Sequence, residues 1–387
     1  MKAIAPGSTI GILGGGQLGR MLGFAARALG YRVAVLDPDP DCPARAVADR
    51  VVVASYDDTK SALELAVGCA VVTYELEHVD AALVRALGER GIPVRPGLLA
   101  LATTQDRLAE RRFLAGMSVP TAPWREVRTR VELRAAAEAL GYPLRLKAAI
   151  GGYDGRSQVR IGGPDELGAA FEAMAAAAER AGLLLEAELD FEAELSVVCA
   201  RDTRGRTFPY PVSRNVHDAG ILVESLAPAP LDPAVAAEAQ RLAERIAVDL
   251  GIVGLLTAEL FLLGDGSLAV NELAPRVHNS GHWTIEGAAT SQFEQHVRAI
   301  CGLPLGSPQA HGPTAMVNIL GEGPGRDARL AGLDEALADP LVHVHVYDKR
   351  RVFERRKMGH VTLAGAATPE DALDRARAAA ALLRWEA

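Results

Sequence analysis

Between residues 8 and 100 the chain alternates strand-like and helix-like segments, and this alternation narrows the possible folds more than any other feature. STIGILGG reads as a strand running into a glycine turn, and QLGRMLGFAARALG as an amphipathic helix. YRVAVLDPDP, DRVVVASY and CAVVTYE are further strands, separated by the helical segments KSALELAV and VDAALVRALGERG. Strands joined through helices form a parallel sheet wrapped by helices, so the N-terminal part is expected to be Rossmann-like α/β.

The remaining chain has its own α/β signals. A helix-rich linker over 101–125 ends at VPTAPW. A helix (VELRAAAEALG) and a strand (PLRLKAA) follow, then the loop GGYDGRSQ, an Ala-rich helix over 165–182 and the strands LLLEAEL and ELSVVCARD. A long helix, LDPAVAAEAQRLAERIAVDLG, precedes the pair TAELFLL and SLAVNEL. LPLGSPQAHGP is a Pro/Gly boundary, and the tail carries short strands and a final Ala-rich helix. At 387 residues the chain is too long for one simple core. A net charge of −8 offers no overall basic field for nucleic acid. Cys42, Cys69, Cys199 and Cys301 are far apart without CxxC spacing, which fits reduced thiols in a cytoplasmic protein. No run of 18 apolar residues suggests a membrane span.

Several segments carry chemistry. Gly14-Gly15-Gly16-Gln17-Leu18-Gly19 fits G-x-G-x-x-G between a strand and a helix, and Asp37 ends the next strand where a dinucleotide fold places its ribose-binding acid. An NAD site is one reading; a Rossmann-like domain that binds no dinucleotide is the other. Lys147 precedes the glycine-rich loop Gly151 to Ser157, which reads as a phosphate flap or as a plain hairpin loop. Glu186 and Glu194 bracket EAELDFEAE, an extended segment suited to a base edge and ribose hydroxyls, or simply to a surface. Arg276, His278, Asn279, Ser280 and His282 crowd behind SLAVNEL, and Lys349 and Arg356 lie in the basic run YDKRRVFERRKMGH, an anion site or a solvated face.

The paired strands hold the sharpest signal. Asp265-Gly266 predicts a two-residue hairpin turn, with Gly264 opposite Ser267. In that register Glu259 directly faces Glu272. Like charges so placed repel, and burying them among Phe261, Leu263, Leu268 and Val270 costs more. A divalent cation removes both penalties, and hard oxygen ligands suit Mg²⁺. The alternative is a solvated edge hairpin, but apolar residues on both faces argue that both sides are covered.

Taken together, GGGQLGRM, TYELEHV (73–79), QDR (105–107), GGYDGR (151–156), NVHDAGIL (215–222), NELAPRVHNSGHWT (271–284) and RKMGH (356–360) resemble, in order, the 5-(carboxyamino)imidazole ribonucleotide synthase family of ATP-grasp ligases. The resemblance covers nearly the whole chain and is most specific at NELAPRVHNSGHWT. It implies a Rossmann-like domain at 1–100, a two-lobed ATP-grasp domain at 101–305 and a small β-rich domain at 306–387. ATP would lie between the lobes. Arg107 and Lys147 would meet its phosphates under a flap of Gly152, Tyr153, Asp154, Gly155, Arg156 and Ser157. Glu186, Ala187, Glu188 and Leu189 would hold adenine, and Glu194 the ribose, with His217 nearby. Asn271 and Glu272 would contact ATP, while Glu259 and Glu272 would bind Mg²⁺. The ribonucleotide would meet Tyr153, Arg156, Arg276 and His278, with its phosphate against Lys349 and Arg356. Gln17, Leu18 and Glu75 would line the same cleft. Asp154, Arg276 and His278 are the implied catalytic residues.

The implied reaction carboxylates the exocyclic amine of 5-aminoimidazole ribonucleotide with bicarbonate and ATP, in a cytoplasmic homodimer of de novo purine biosynthesis. Three departures stand out: Ala148-Ala149-Ile150 in place of basic residues, Ser157 in place of glycine, and Phe353-Glu354-Arg355 in place of a Pro-Gly turn. The alternatives are a formate-dependent glycinamide ribonucleotide transformylase, an NAD-dependent oxidoreductase and a non-catalytic nucleotide sensor.

Overall fold

The computed structural model describes residues 2–151 and 157–386. The N-terminal alternation forms a four-stranded parallel sheet of β1 (Thr9–Leu13), β2 (Arg32–Asp37), β3 (Arg50–Val53) and β4 (Cys69–Tyr74), ordered β3-β2-β1-β4. Its helices are α1 (Gln17–Ala28), α2 (Thr59–Ala66) and α3 (Ala81–Glu89). Two short helices, α4 (Leu98–Thr104) and α5 (Arg107–Gly116), lead out of it, and Asp106 caps α5 by accepting from the Leu108 N–H at 2.8 Å.

The next unit is a four-stranded sheet of β5 (Trp124–Val127), β6 (Leu144–Ala148), β7 (Gln158–Ile161) and β8 (Leu183–Ala187), ordered β5-β8-β6-β7. Helices α6 (Arg130–Leu140) and α7 (Leu167–Arg180) cover it, and Thr129 with Glu132 forms a capping box at the start of α6. The third sheet is the largest. It contains β9 (Phe191–Arg201), β10 (Thr207–Pro209), β11 (Ser213–Asp218), β12 (Ile221–Ala227), β13 (Gly254–Leu263), β14 (Leu268–Ala274) and β15 (Thr314–Leu320), together with the strands Val342–Val346 and Lys357–Ala364. Helix α8 (Pro233–Asp249) packs on β9 and β13. β12 pairs directly with β15, so the C-terminal strands extend the central sheet and share its hydrogen-bond ladder.

One apolar cluster joins all three regions. It contains Ile10, Met21 and Leu22 from the first, Val198 and Trp283 from the centre, and Met316 and Tyr347 from the C-terminal part, each at most 7% exposed. This shared core ties the first sheet to the large one.

The β13–β14 hairpin departs from its predicted turn but keeps its predicted pair. Leu263 and Ser267 close the loop, with the Leu263 N–H donating to the Ser267 carbonyl at 2.9 Å, so Gly264, Asp265 and Gly266 form a three-residue connection. Gly266 takes φ 81, the left-handed residue that completes such a loop. That extra residue shifts the pairing by one: Leu262 opposes Leu268 and Leu260 opposes Val270. A bulge at Asn271 shifts it back, so Thr257 opposes Ala274 and Glu259 opposes Glu272. The two irregularities cancel at the carboxylates.

A second hairpin, β11–β12, turns on Ala219 and Gly220 with φ 45 and φ 79. Ala-Gly is a weak turn signal, and this turn is not anticipated from the sequence. At the loop over β14, replacing Gly266 with alanine forces a Cβ into a left-handed conformation, and Gly266→Ala is expected to lower unfolding free energy by about 1 kcal/mol in chemical denaturation. Turnover is expected to stay at the wild-type level, since the loop is exposed and distant from the carboxylates.

Candidate functional site

A cleft of about 1170 Å³ opens between the β5–β8 sheet and the β9–β11–β13–β14 end of the large sheet. It gathers Arg107, Lys147 and the Glu186–Leu189 segment from one side, and Glu194, His217, Glu259, Asn271, Glu272, Arg276 and His278 from the other. Residues more than 160 positions apart in sequence thus line one space, with both lobes contributing charge.

On the β6–β8 wall, Lys147 extends its Nζ to Glu186 Oε2 at 2.7 Å. Glu186 Oε1 accepts from Arg111 Nε at 2.6 Å. Both carboxylate oxygens are therefore engaged by cations, and Glu186 sits below the usual carboxylate range because Arg111 and then Lys147 outweigh its burial. The acid expected to meet adenine thus anchors Lys147. Glu188 is similarly held, by Arg145 at 2.9 Å and Arg160 at 2.7 Å. The start of α5 is tied to the end of β6: the Arg107 N–H donates to the Ala149 carbonyl, and Arg107 Nη1 to the Ala148 carbonyl, each at 2.9 Å.

On the opposite wall Glu259 and Glu272 face each other across β13 and β14. Glu259 keeps 18% side-chain exposure, while Glu272 is open to the cleft. Burial, then the charge of Glu272, pushes the Glu259 carboxyl above its ordinary range. A pair of hard oxygen donors so strained by its own charge fits a divalent cation. Among the described residues no group of three or more His, Cys, Asp or Glu is arranged to hold a metal. A two-carboxylate set suits Mg²⁺, which completes its shell with water and phosphate oxygens, better than it suits zinc.

His278 connects the carboxylates to the loop behind them. The Ser280 N–H donates to His278 Nδ1 at 3.3 Å, which fixes Nδ1 as acceptor and places the proton of a neutral ring on Nε2. Nε2 lies 3.1 Å from Glu259 Oε1. Burial, then Arg276, keeps this imidazole well below its usual range, so it stays neutral. Arg276 Nε pairs with Glu77 Oε1 at 2.7 Å, and Glu77 comes from the first domain. On β11, His217 Nδ1 meets Glu194 Oε2 at 2.7 Å.

The glycine turn before α1 is closed to dinucleotide phosphates by the protein's own acids. Glu75 accepts the Gly16 N–H at 2.5 Å and also the Gly19 N–H. Asp37 accepts the Gly15 N–H at 2.7 Å and the Tyr56 hydroxyl at 2.7 Å. A Cβ at Gly19 would lie 2.4 Å from the Gly14 carbonyl, so that glycine serves close packing of helix on strand. Beside this turn Lys349 Nζ meets Gln17 Oε1 at 2.7 Å. Gln17, Glu75, Lys349 and Arg356 are thus outside the residues lining the main cleft, and Leu18 packs into the shared core.

Comparison with known proteins accounts for this arrangement. Family models match along the chain: a ribonucleotide synthetase preATP-grasp domain over residues 7–105, an ATP-grasp domain over 112–293 and a phosphoribosylaminoimidazole carboxylase C-terminal domain over 314–375. The N5-carboxyaminoimidazole ribonucleotide synthase of Brucella melitensis is 44% identical over 93% of this chain and 97% of its own. The crystal structure of the Thermotoga maritima synthetase superposes with a TM-score of 0.88 at 37% identity, covering 98% of this chain and 99% of that one. The Aspergillus clavatus synthase, solved with ADP and 5-aminoimidazole ribonucleotide, gives a TM-score of 0.87 at 33% identity, covering 97% and 98%. The chain belongs to the N5-carboxyaminoimidazole ribonucleotide synthase family.

As a member of the N5-carboxyaminoimidazole ribonucleotide synthase family it is an ATP-grasp ligase, and the oxidoreductase reading is overturned: the amides that would receive a pyrophosphate are already bonded to Glu75 and Asp37. Two of the departures from the family pattern lie at left-handed backbone positions. Ser157 holds φ 59 and Arg355 holds φ 62. Arg355 anchors its turn to Asp218 at 2.7 Å. Gly152, Tyr153, Asp154, Gly155 and Arg156 lie outside the described residues.

Sequence reading missed Glu77, Glu110, Arg111 and Lys357. Arg111 shares the helical spacing of the buried Leu108 and Leu114, a signal that a charge occupies a core position. Its partners, far away in sequence, carried no such mark. One titration tests the His217 assignment. Burial opposes the charged ring, but its hydrogen bond to Glu194, with the charge of Glu259, more than offsets it and raises His217 above its ordinary value. The stabilisation is therefore present below about pH 6.5 and is lost as pH rises through the raised value. In metal-free protein the His217 proton resonances are expected to titrate above about 6.5, and in Glu194→Gln at a lower pH than in the wild-type chain, since the Glu194 contribution is removed while that of Glu259 remains. Equal midpoints in the two proteins would remove the pairing.

Proposed function

We propose that this chain carboxylates the exocyclic amine of 5-aminoimidazole ribonucleotide with bicarbonate, using ATP, in de novo purine biosynthesis. The observation that carries this reading is the pair Glu259–Glu272 beside Arg276 and His278, across one cleft from Lys147. ATP is assigned to the space between the lobes, with its phosphates toward Arg107 and Lys147, its adenine along Ala187–Leu189 and its ribose at Glu194 and His217. Asn271 and Glu272 meet the phosphate end. Glu259 and Glu272 would hold Mg²⁺, which supplies charge neutralisation for phosphoryl transfer.

A bicarbonate oxygen takes the γ-phosphoryl group, the bond to the β-phosphate breaks, and ADP leaves. The amine nitrogen then attacks the activated carbon, the carbon–oxygen bond to phosphate breaks, and a proton leaves the nitrogen. Arg276, braced by Glu77, and the neutral His278 would meet the ribonucleotide. Asp154 would orient or deprotonate the amine, with Tyr153 and Arg156 on the ribonucleotide. Gln17, Lys349 and Arg356 form an anion-binding group for its phosphate, against the wall made by Leu18 and Glu75. Closure of the Gly152–Ser157 segment would keep water from the activated carbon. The division at 1–100, 101–305 and 306–387, a homodimeric state and a cytoplasmic setting belong to the same proposal. Among the described residues no helix is long and apolar enough to cross a membrane.

A coupled phosphate-release assay tests the reaction. Release is expected only when ATP, bicarbonate and 5-aminoimidazole ribonucleotide are all present. Replacing bicarbonate by formate, or the ribonucleotide by glycinamide ribonucleotide, should abolish it, and undiminished release after either replacement would refute the assignment. Glu272→Gln is expected to lower turnover roughly 100-fold or more, because a metal ligand supplies several kcal/mol of charge stabilisation. Its thermal midpoint should hardly move, since Glu272 is exposed to the cleft.

A further inference from the structure

Helix α5 carries two adjacent charged residues, Glu110 and Arg111, each only 2% exposed. Full burial of such a pair is costly unless every donor and acceptor is satisfied, and here the partners span both lobes. Arg111 Nε bonds Glu186 Oε1 at 2.6 Å, Nη1 bonds Glu110 Oε1 at 2.8 Å, and Nη2 bonds the Asn271 carbonyl at 2.7 Å. Glu110 Oε2 accepts the Leu273 N–H at 3.0 Å. Glu186 passes the connection on to Lys147 at 2.7 Å.

Two consequences follow from that geometry. Asn271 is the bulged residue that returns Glu272 to its place opposite Glu259, and its carbonyl and the Leu273 amide flank Glu272 on either side. Arg111 and Glu110 therefore grip the backbone on both sides of Glu272. At the other end, Glu186 divides its charge between Arg111 and Lys147. Without Arg111 the whole carboxylate charge would fall to Lys147, and a phosphate would have to displace it.

We propose that Arg111 is a positioning residue for ATP: it keeps Lys147 available to phosphate in one lobe and fixes the bulge that aims Glu272 in the other. It touches no substrate itself. This inference rests on the assignment of the cleft to ATP.

The test uses the full chain with Arg111→Lys and Arg111→Met. ATP binding is measured calorimetrically with and without Mg²⁺, alongside the KM for ATP, the KM for 5-aminoimidazole ribonucleotide and the thermal midpoint. Both variants are expected to bind ATP more weakly without Mg²⁺, through Lys147, and to lose part of the Mg²⁺-dependent gain, through Glu272. The combined loss should be on the order of 10- to 100-fold, the scale seen when residues behind a ligand are removed, with the KM for the ribonucleotide unchanged. Arg111→Lys keeps the charge but not the three-way fork, and it decides the matter if Arg111→Met does not fold. A lower thermal midpoint with wild-type ATP affinity in both conditions would overturn the proposal and leave Arg111 a purely structural residue. Failure of the wild-type chain itself to bind ATP would instead overturn the assignment of the cleft.

Discussion

Two carboxylates held opposite each other on neighbouring strands set the terms for the rest of this structure. Glu259 and Glu272 cannot relax apart, because β13 is fixed by β9 on one side and β14 is fixed by the grip of Glu110 and Arg111 on the other. Their repulsion is concentrated by burial, which pushes Glu259 above its ordinary range. The surrounding groups offset this only in part. His278 reaches Glu259 but is neutral, Arg276 is already committed to Glu77, and His217 to Glu194. The site thus retains a deficit of positive charge at one place, and an ATP-grasp ligase needs a metal ion at such a place.

The first domain shows how far a fold can stand from the function usually read into it. Its glycine turn has the spacing, the preceding strand and the acidic residue of a dinucleotide site. What differs is the occupancy of the amides. Glu75 takes the Gly16 and Gly19 N–H groups at the N-terminus of α1, the position where a phosphate would otherwise be favoured. Glu75 is 7% exposed, so this carboxylate is part of the packing and cannot swing aside for a ligand without leaving those amides unpaired. The domain instead contributes Glu77 to Arg276 in the central region and Gln17 to Lys349 in the C-terminal part.

Much of the architecture was legible because it rests on local signals. The parallel sheet follows from alternating segments, and the large hairpin from two apolar runs around Asp-Gly. The carboxylate pair was legible for a less secure reason. The expected two-residue turn is a three-residue loop, and the pair survives because the bulge at Asn271 restores the register. A bulge depends on what the freed backbone groups can bond, here Arg111, and nothing near Asn271 in sequence announces that. The same limit hid Glu110 and Arg111, whose role comes from pairings across 75 to 163 positions. The continuous sheet was also hidden: nothing in the sequence announces that β15 pairs with β12 across the Pro/Gly boundary.

Within NELAPRVHNSGHWT, residues that face the site and residues that secure the fold follow each other closely. Glu272 faces the cleft. Arg276 crosses to the first domain. His278 is held through its own backbone by Gln292, whose Oε1 accepts the His278 N–H at 2.9 Å and whose Nε2 donates to the His278 carbonyl at 2.7 Å. Ser280 links to Ser196 at 2.8 Å, and Trp283 is fully buried in the shared core with its Nε1 donating to Ser213 at 2.9 Å. A substitution that spares the chemistry therefore still disturbs a buried partner, and one that spares the packing still changes a charge at the cleft. Strands β6 and β7, by contrast, are joined at their described ends by backbone contacts, with the Ala148 N–H donating to the Ser157 carbonyl at 3.0 Å. Such contacts are made by backbone groups alone, and Ser157 makes its own from a left-handed conformation at φ 59.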